Sequence, residues 1–331
     1  MPDALPTDDR ATPVIAQFHG IHVTPALIDP LKAGKPDGVL LRRRNIETPE
    51  QVRQLCTTLK RELGEHLLIA VRHEGGVETP FVRGVTAFPG LEALEAAANP
   101  VLARDVGRAM GAELAALGIG MNLVPTDGPM AAELCVGLRC SGIKVGDGAT
   151  VPPAPRSAED GDHALLASVV AEAALRVVRD PGKLLPVPPG TRAGLLIPRL
   201  GEVAHRLPIE ESLRMTAGLI RPQVGASVAV LEIGVEPDAN AAELALEWMA
   251  GQDLAVVFAF ELARHPGQRR LLEAVEGRCR RCLVVLLGDA AEESFPRPES
   301  TVLRTRGFQS CQLTAALKTI FPPPPKPGKR K

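Results

Sequence analysis

The segment that most restricts the fold is the apolar run Leu67-Leu68-Ile69-Ala70-Val71, which ends in Arg72-His73-Glu74-Gly75-Gly76. An apolar run without polar alternation describes a strand buried on both faces, as in a parallel sheet covered by helices. Such sheets bind ligands at the carboxyl ends of their strands, where the charged residues and glycines after Val71 fall. A chain built around this strand must also supply neighbouring strands and crossover helices. Further strands are predicted over residues 14–18, 38–41 and 119–125. Helices are predicted over 48–64 and 100–117. Thr48-Pro49-Glu50-Gln51 marks the first helix start, with Thr48 as cap, proline at the first helical position and Gln51 completing a capping box. This alternation predicts about four βα units over residues 14–145.

Residues 146–162 are dominated by Gly, Pro, Ser and Asp and read as a linker. The α/β rhythm then resumes. A helix is predicted over 163–179, and strands over 194–197, 227–233, 254–260, 283–287 and 301–303. Helices over 210–220, 240–250, 266–277 and 312–320 fall between them. The second half, 163–320, is therefore expected to be an open α/β three-layer sandwich. Residues 1–13 are polar and read as disordered. They lack the apolar core of a signal peptide, and a cytoplasmic protein is expected. Residues 321–331, Pro-rich and basic, read as a disordered tail.

Composition narrows the function classes. Formal net charge is −1, so no strong field recommends nucleic acid or an anionic membrane. No run of about 18 apolar residues exists to span a bilayer. With no Tyr, one Trp and eight Phe, the chain is poor in the aromatic platforms sugar sites often use. Cys279 and Cys282 have CxxC spacing, but they precede a strand and lack a second ligand pair. His19 and His22 have no third ligand nearby, so no metal is expected. Gly118-Ile119-Gly120 lacks the third glycine of a dinucleotide fingerprint, and no cofactor is expected.

Ile69-Ala70-Val71 with Glu74-Gly75-Gly76, followed by Phe88-Pro89, resembles the third-strand motif of family 3 glycoside hydrolases, the bacterial β-N-acetylglucosaminidases. Residues 38–42 with Asn45, and Gly118-Ile119-Gly120-Met121-Asn122 with Pro125 and Asp127, fit its second and fourth strands. Lys183-Leu184-Leu185-Pro186 and the Phe295-Pro296, Arg304-Thr305 and Gly307-Phe308 pairs resemble its C-terminal α/β domain. The resemblance implies a (β/α)8 barrel, which needs roughly 250 residues. Only a truncated half-barrel fits before the linker.

The resemblance also implies chemistry, and here the chain departs from it. The family carries an aspartate where this chain has Arg72, and an arginine after the double glycine where this chain has Val77. A guanidinium donates hydrogen bonds and cannot accept them from a sugar hydroxyl. The family's nucleophilic aspartate, acid/base histidine and lysine-histidine sugar-binding motif have no counterpart, so no catalytic residue is assigned. Arg72, His73, Glu74, Gly75, Gly76 and Asp127 are the expected remnant of a ligand site. The leading expectation is an inactive glycosidase homologue with a binding or assembly role. Its implied partners are an amino-sugar or peptidoglycan fragment and a second copy or homologous chain. The alternatives are an active glycosidase completed by a partner chain, and an unrelated small-molecule binder using the second sheet. For Arg72 and Glu74 the plainer reading is that they pair with neighbouring residues and close the open half-barrel.

Overall fold

The computed structural model describes residues 14–146, 162–288 and 290–322. Residues 1–13, 147–161 of the linker and 323–331 lie outside the described residues. Phe321, expected in the disordered tail, instead caps the last helix through its amide and packs against the second core. The chain forms two sheets, one of five parallel strands and one of six strands with a single antiparallel pair.

The first sheet runs in sequence order. It contains β1 (Ile15–Ala16), β2 (Gly38–Leu40), β3 (Leu68–Val71), β4 (Met121–Asn122) and β5 (Lys144–Val145). Between them lie α1 (Pro25–Gly34), α2 (Pro49–Leu63), α3 (Leu91–Ala97), α4 (Pro100–Ala116) and α5 (Pro129–Cys140). Helix α2 starts as the sequence indicates: the Thr48 hydroxyl accepts from the Gln51 amide at 3.2 Å. The Gln51 side chain accepts from the Glu47 amide rather than from Thr48, so the reciprocal bond sits one residue upstream. The expectation of about four βα units falls short by one strand. Lys144–Val145 is too brief to show alternation, and its neighbour β4 supplies the pairing that defines it. Among the described residues β1 and β5 are the sheet's edges, each paired on one side only.

Helices α4 and α5 cross at glycines. A Cβ on Gly107 would lie 2.2 Å from the Leu134 carbonyl oxygen, and one on Gly137 would lie 2.1 Å from that of Arg104. Only hydrogen at those positions allows the two backbones to touch.

After α6 (His163–Ala174) the expected helix stops, and β6 (Arg176–Arg179) pairs antiparallel with β11 (Thr301–Arg304). Val177 and Val178 favour the pleat. The Arg179 guanidinium holds the turn with bonds to the Glu293, Pro296, Arg297 and Ser300 carbonyls. The other strands are β7 (Ala193–Pro198), β8 (Val228–Ile233), β9 (Leu254–Ala259) and β10 (Cys282–Leu286), in the spatial order β6-β11-β10-β9-β7-β8. The helix expected over 210–220 is broken into a 3-10 turn, Glu211–Leu213, and α7 (Thr216–Ile220). The Thr216 amide there donates to the Glu232 carboxylate on β8 at 3.0 Å, a tertiary bond that starts a new helix.

Alternate strand residues enter different cores. Leu195, Val256, Val285 and Leu303 face α7 and α10 (Ser310–Ile320), whereas Leu196, Val257, Val284 and Val302 face α8 (Ala239–Met249) and α9 (Pro266–Arg278). Helices thus cover both faces. The buried side chains of α6 that join a core, Ala167, Val170 and Ala174, join that of the first sheet. Polar clips also tie the two halves. The Arg43 guanidinium donates to the Leu207 carbonyl at 2.8 Å and to that of Ala204. Glu92 pairs with Arg306 at 3.1 Å and with Arg304 at 3.5 Å.

Candidate functional site

The tip of β3 carries the polar residues that the sequence singles out. Its backbone is fixed by Asn122 at the end of β4. The Asn122 Oδ1 accepts from the His73 amide and its Nδ2 donates to the His73 carbonyl, both at 2.9 Å, with Asn122 fully buried. One side chain therefore replaces a rung of the sheet beyond the last paired residue. The sequence reading names Asn122 only as part of a motif. Its place after a two-residue strand is the signal that it closes the strand pair.

Arg72 and His73 lie on opposite faces, as consecutive strand residues must. The Arg72 Nε donates to Glu74 at 2.9 Å and lies 3.6 Å from Glu78. The hydrogen bond and charge of Glu74 raise the Arg72 pKa above its ordinary value. The plainer expectation is pairing with neighbouring residues; the geometry shows Arg72 and Glu74 paired with each other. His73 is buried, its ring edge-on to Phe81 with centroids 5.5 Å apart. Burial pushes its pKa down to about 4, so it is neutral at pH 7. Neither of its ring nitrogens has a hydrogen-bond partner.

The double glycine is a steric requirement of this tip. Gly75 and Gly76 both have positive φ, 79° and 56°. A Cβ on Gly75 would lie 2.6 Å from the Pro89 carbonyl oxygen and 2.8 Å from that of Phe88. The Gly76 amide donates to the Phe88 carbonyl at 2.8 Å, and the Glu74 amide to that of Glu78 at 2.8 Å. The turn thereby folds residues 75–88 back over β3. Asp127 is exposed, outside both hollows described next.

One hollow is an open crevice at the strand tips, lined by Arg72, Leu123, Val124, Pro125 and Gly146. The other is a cavity of about 210 Å³ between the 75–88 turn and the second half, with His73, Phe81 and Phe88 on one side and Pro208, Glu210 and Gln309 on the other. No residue lines both. Beside the cavity, Glu113 accepts from the Thr86 hydroxyl at 2.6 Å and from its amide at 3.0 Å, and meets His163 Nδ1 at 2.7 Å. This clamp joins α4, the turn and α6, and no sequence pattern announces it. Burial pushes the Cys279 and Cys282 thiols up, which suppresses thiolate chemistry there.

The comparisons with known proteins bear on this tip directly. Residues 18–127 match the glycosyl hydrolase family 3 N terminal domain. Part of the chain also aligns with curated enzymes. It is 36% identical over 119 residues to a beta-hexosaminidase of Chromobacterium violaceum, and 35% identical over 99 residues to one of Idiomarina loihiensis. Those alignments take in 34% and 29% of this chain and 33% and 30% of the relatives. The chain thus spans about a third of the length of the curated relatives it matches. The whole fold resembles a glycoside hydrolase family 3 beta-N-acetylglucosaminidase from Paenibacillus (TM-score 0.77, 16% identity, 92% of this chain and 94% of that one). It also resembles a fungal multi-domain family 3 beta-N-acetylglucosaminidase (TM-score 0.72, 14% identity, 93% and 58%). At these identities the likeness is one of fold.

Proposed function

We propose that this protein is a beta-N-acetylhexosaminidase homologue that has lost hydrolysis and acts by binding an amino-sugar fragment. Its first half would be a truncated (β/α)8-type barrel. The observation that carries this reading is the chemistry of the strand-tip crevice. Hydrolysis with retention needs a carboxylate nucleophile and a proton donor placed across the scissile bond. Among the described residues lining the crevice none is a carboxylate, and its one charged side chain is Arg72, already paired with Glu74. Glu74, two residues beyond Arg72, is buried and committed to that pair, and Asp127, two beyond Pro125, does not line the crevice. Among the described residues, five strands in place of the eight of a closed barrel support the same view. A chromogenic N-acetylglucosaminide assay tests it. Release at background rate is the expected outcome, and turnover of about 1 per second or more, within the ordinary enzyme range, would overturn it.

A second reading draws on the two sheet edges. β1 and β5 each pair on one side among the described residues, and such edges accept strands from another chain. In that case a partner would complete an active site, and activity would appear only on mixing the two.

A further inference from the structure

Helices cover the first sheet on one face only. Its register sets Val39 beside Ile69, and Val71 in a row with Asn122 and Val145. Val39, Ile69, Val71 and Val145 enter the core built with α1 to α5. The alternate residues Leu40, Ala70, Met121 and Lys144 form a row on the opposite face, and Gly38 and Leu68 precede them there by one pleat. Leu40, Leu68, Ala70 and Met121 join none of the three cores. Leu40 and Leu68 are half-buried, and Ile15, beside Gly38 on the same face, is 36% exposed. A parallel sheet is ordinarily covered on both faces. Here one apolar face is bare and, among the described residues, so are both edges, β1 and β5.

These deficits are reciprocal. All five strands are parallel, so β5 of one copy can receive β1 of another without a change of direction. A two-fold axis along the strands does this at two seams at once. It leaves no open edge and turns both apolar faces inward. The charges agree with that arrangement. Lys144 opens β5 on the bare face and has no ion pair among the described residues. At the foot of β1 the Asp37 carboxylate accepts from the Val14 amide at 2.7 Å. Parallel strands start at the same end, so Lys144 meets the partner's Asp37 across the seam. At the strand tips of this face, Arg72 is paired with Glu74 and Glu78, and Arg42 donates to Gln17, which limits repulsion between copies. We propose that the protein is a homodimer in which β5 of each copy pairs with β1 of the other around a shared apolar interior. This pairing rests on the open edges of the second reading and fixes the partner as a second copy, with no hydrolysis implied.

Size-exclusion chromatography with light scattering on the full chain tests the dimer. Twice the mass of one chain is expected at micromolar concentration. Lys144→Glu should raise the dissociation constant about tenfold or more, because it sets two carboxylates together at each seam. Asp37→Lys should weaken the dimer as well, and the double variant should recover most of the loss, as a direct contact requires. Leu68→Gln, on the bare face and outside every core, should weaken it while circular dichroism shows the fold retained. The mass of one chain at every concentration would overturn the proposal. So would masses growing past two copies, the mark of a seam that does not close. A dimer indifferent to Lys144→Glu and Leu68→Gln would overturn it too, since its interface must lie elsewhere, such as the β8 edge of the second sheet. A dimer that cleaves no chromogenic substrate keeps this pairing and removes only the second reading. Activity on mixing with a different chain, from a protein that is itself monomeric, does the reverse.

Discussion

Replacing Asn122 by leucine tests the account of the β3 tip most severely. The side chains are close in volume, so packing is nearly conserved, but both bonds to the His73 backbone disappear. The His73 amide and carbonyl lie in a region closed to solvent, with Asn122 at 0% and His73 at 2% exposure. Each unpaired group costs about 1–3 kcal/mol. The extra apolar burial of leucine returns about 1 kcal/mol. A net loss of about 3 kcal/mol is expected, equivalent to a fall in melting temperature of about 4 °C for a chain of 331 residues at about 2.1 cal/mol/K per residue. Urea unfolding followed by far-ultraviolet circular dichroism gives the energy. Hydrogen exchange of the His73 amide gives the location, since its protection should collapse in the variant. A loss under about 1 kcal/mol with protection retained would refute the claim that Asn122 closes the sheet at this point.

Two further outcomes follow from the same tip. Arg72→Asp, which places the family's residue there, should not create hydrolysis. It should lower stability by about 1 kcal/mol in urea unfolding at pH 7, because a new carboxylate would face the buried Glu74 and the nearby Glu78. A variant as stable as the parent that cleaves the chromogenic substrate would contradict both statements. His73 should also leave a pH signature. Its folded pKa, about 4, lies below the unfolded value of about 6.5, so its contribution is complete above pH 6.5 and declines as pH falls toward 4. Between pH 6.5 and 5 the protein should lose roughly 2 kcal/mol relative to His73→Phe. Parallel stability profiles for the two would show that the imidazole is solvated.

Long, capped elements were legible in the sequence. The helix start at Thr48 and the strand ending at Val71 follow from local chemistry. So do the strands and most of the helices of the second sheet, because there the residue types and the tertiary packing agree. Elements whose identity depends on a neighbour were not legible. β5 is two residues recognised by its partner, and Arg176–Arg179 continues a helical pattern until β11 pairs with it. Helix α5 is apolar around much of its circumference and so shows little periodicity. At the site, ion pairing of Arg72 and Glu74 was legible, but not that each is the other's partner. The opposed directions of Arg72 and His73 follow from strand geometry, but what each meets depends on the 75–88 turn and the second half.

The crossing of α4 and α5 has a consequence for how this region can change over time. Most helix contacts are cushions of side chains, and a bulkier group on one surface can be offset by a smaller one opposite. At Gly107 and Gly137 main chain meets main chain, and nothing remains to be trimmed. The pair can neither swivel nor spread without separating altogether. β4 follows α4 and β5 follows α5, each with only two residues, so the helix crossing fixes where these paired strands enter the sheet. Variation is therefore steered toward the loops at the strand tips, where new recognition can arise on a mounting that does not move.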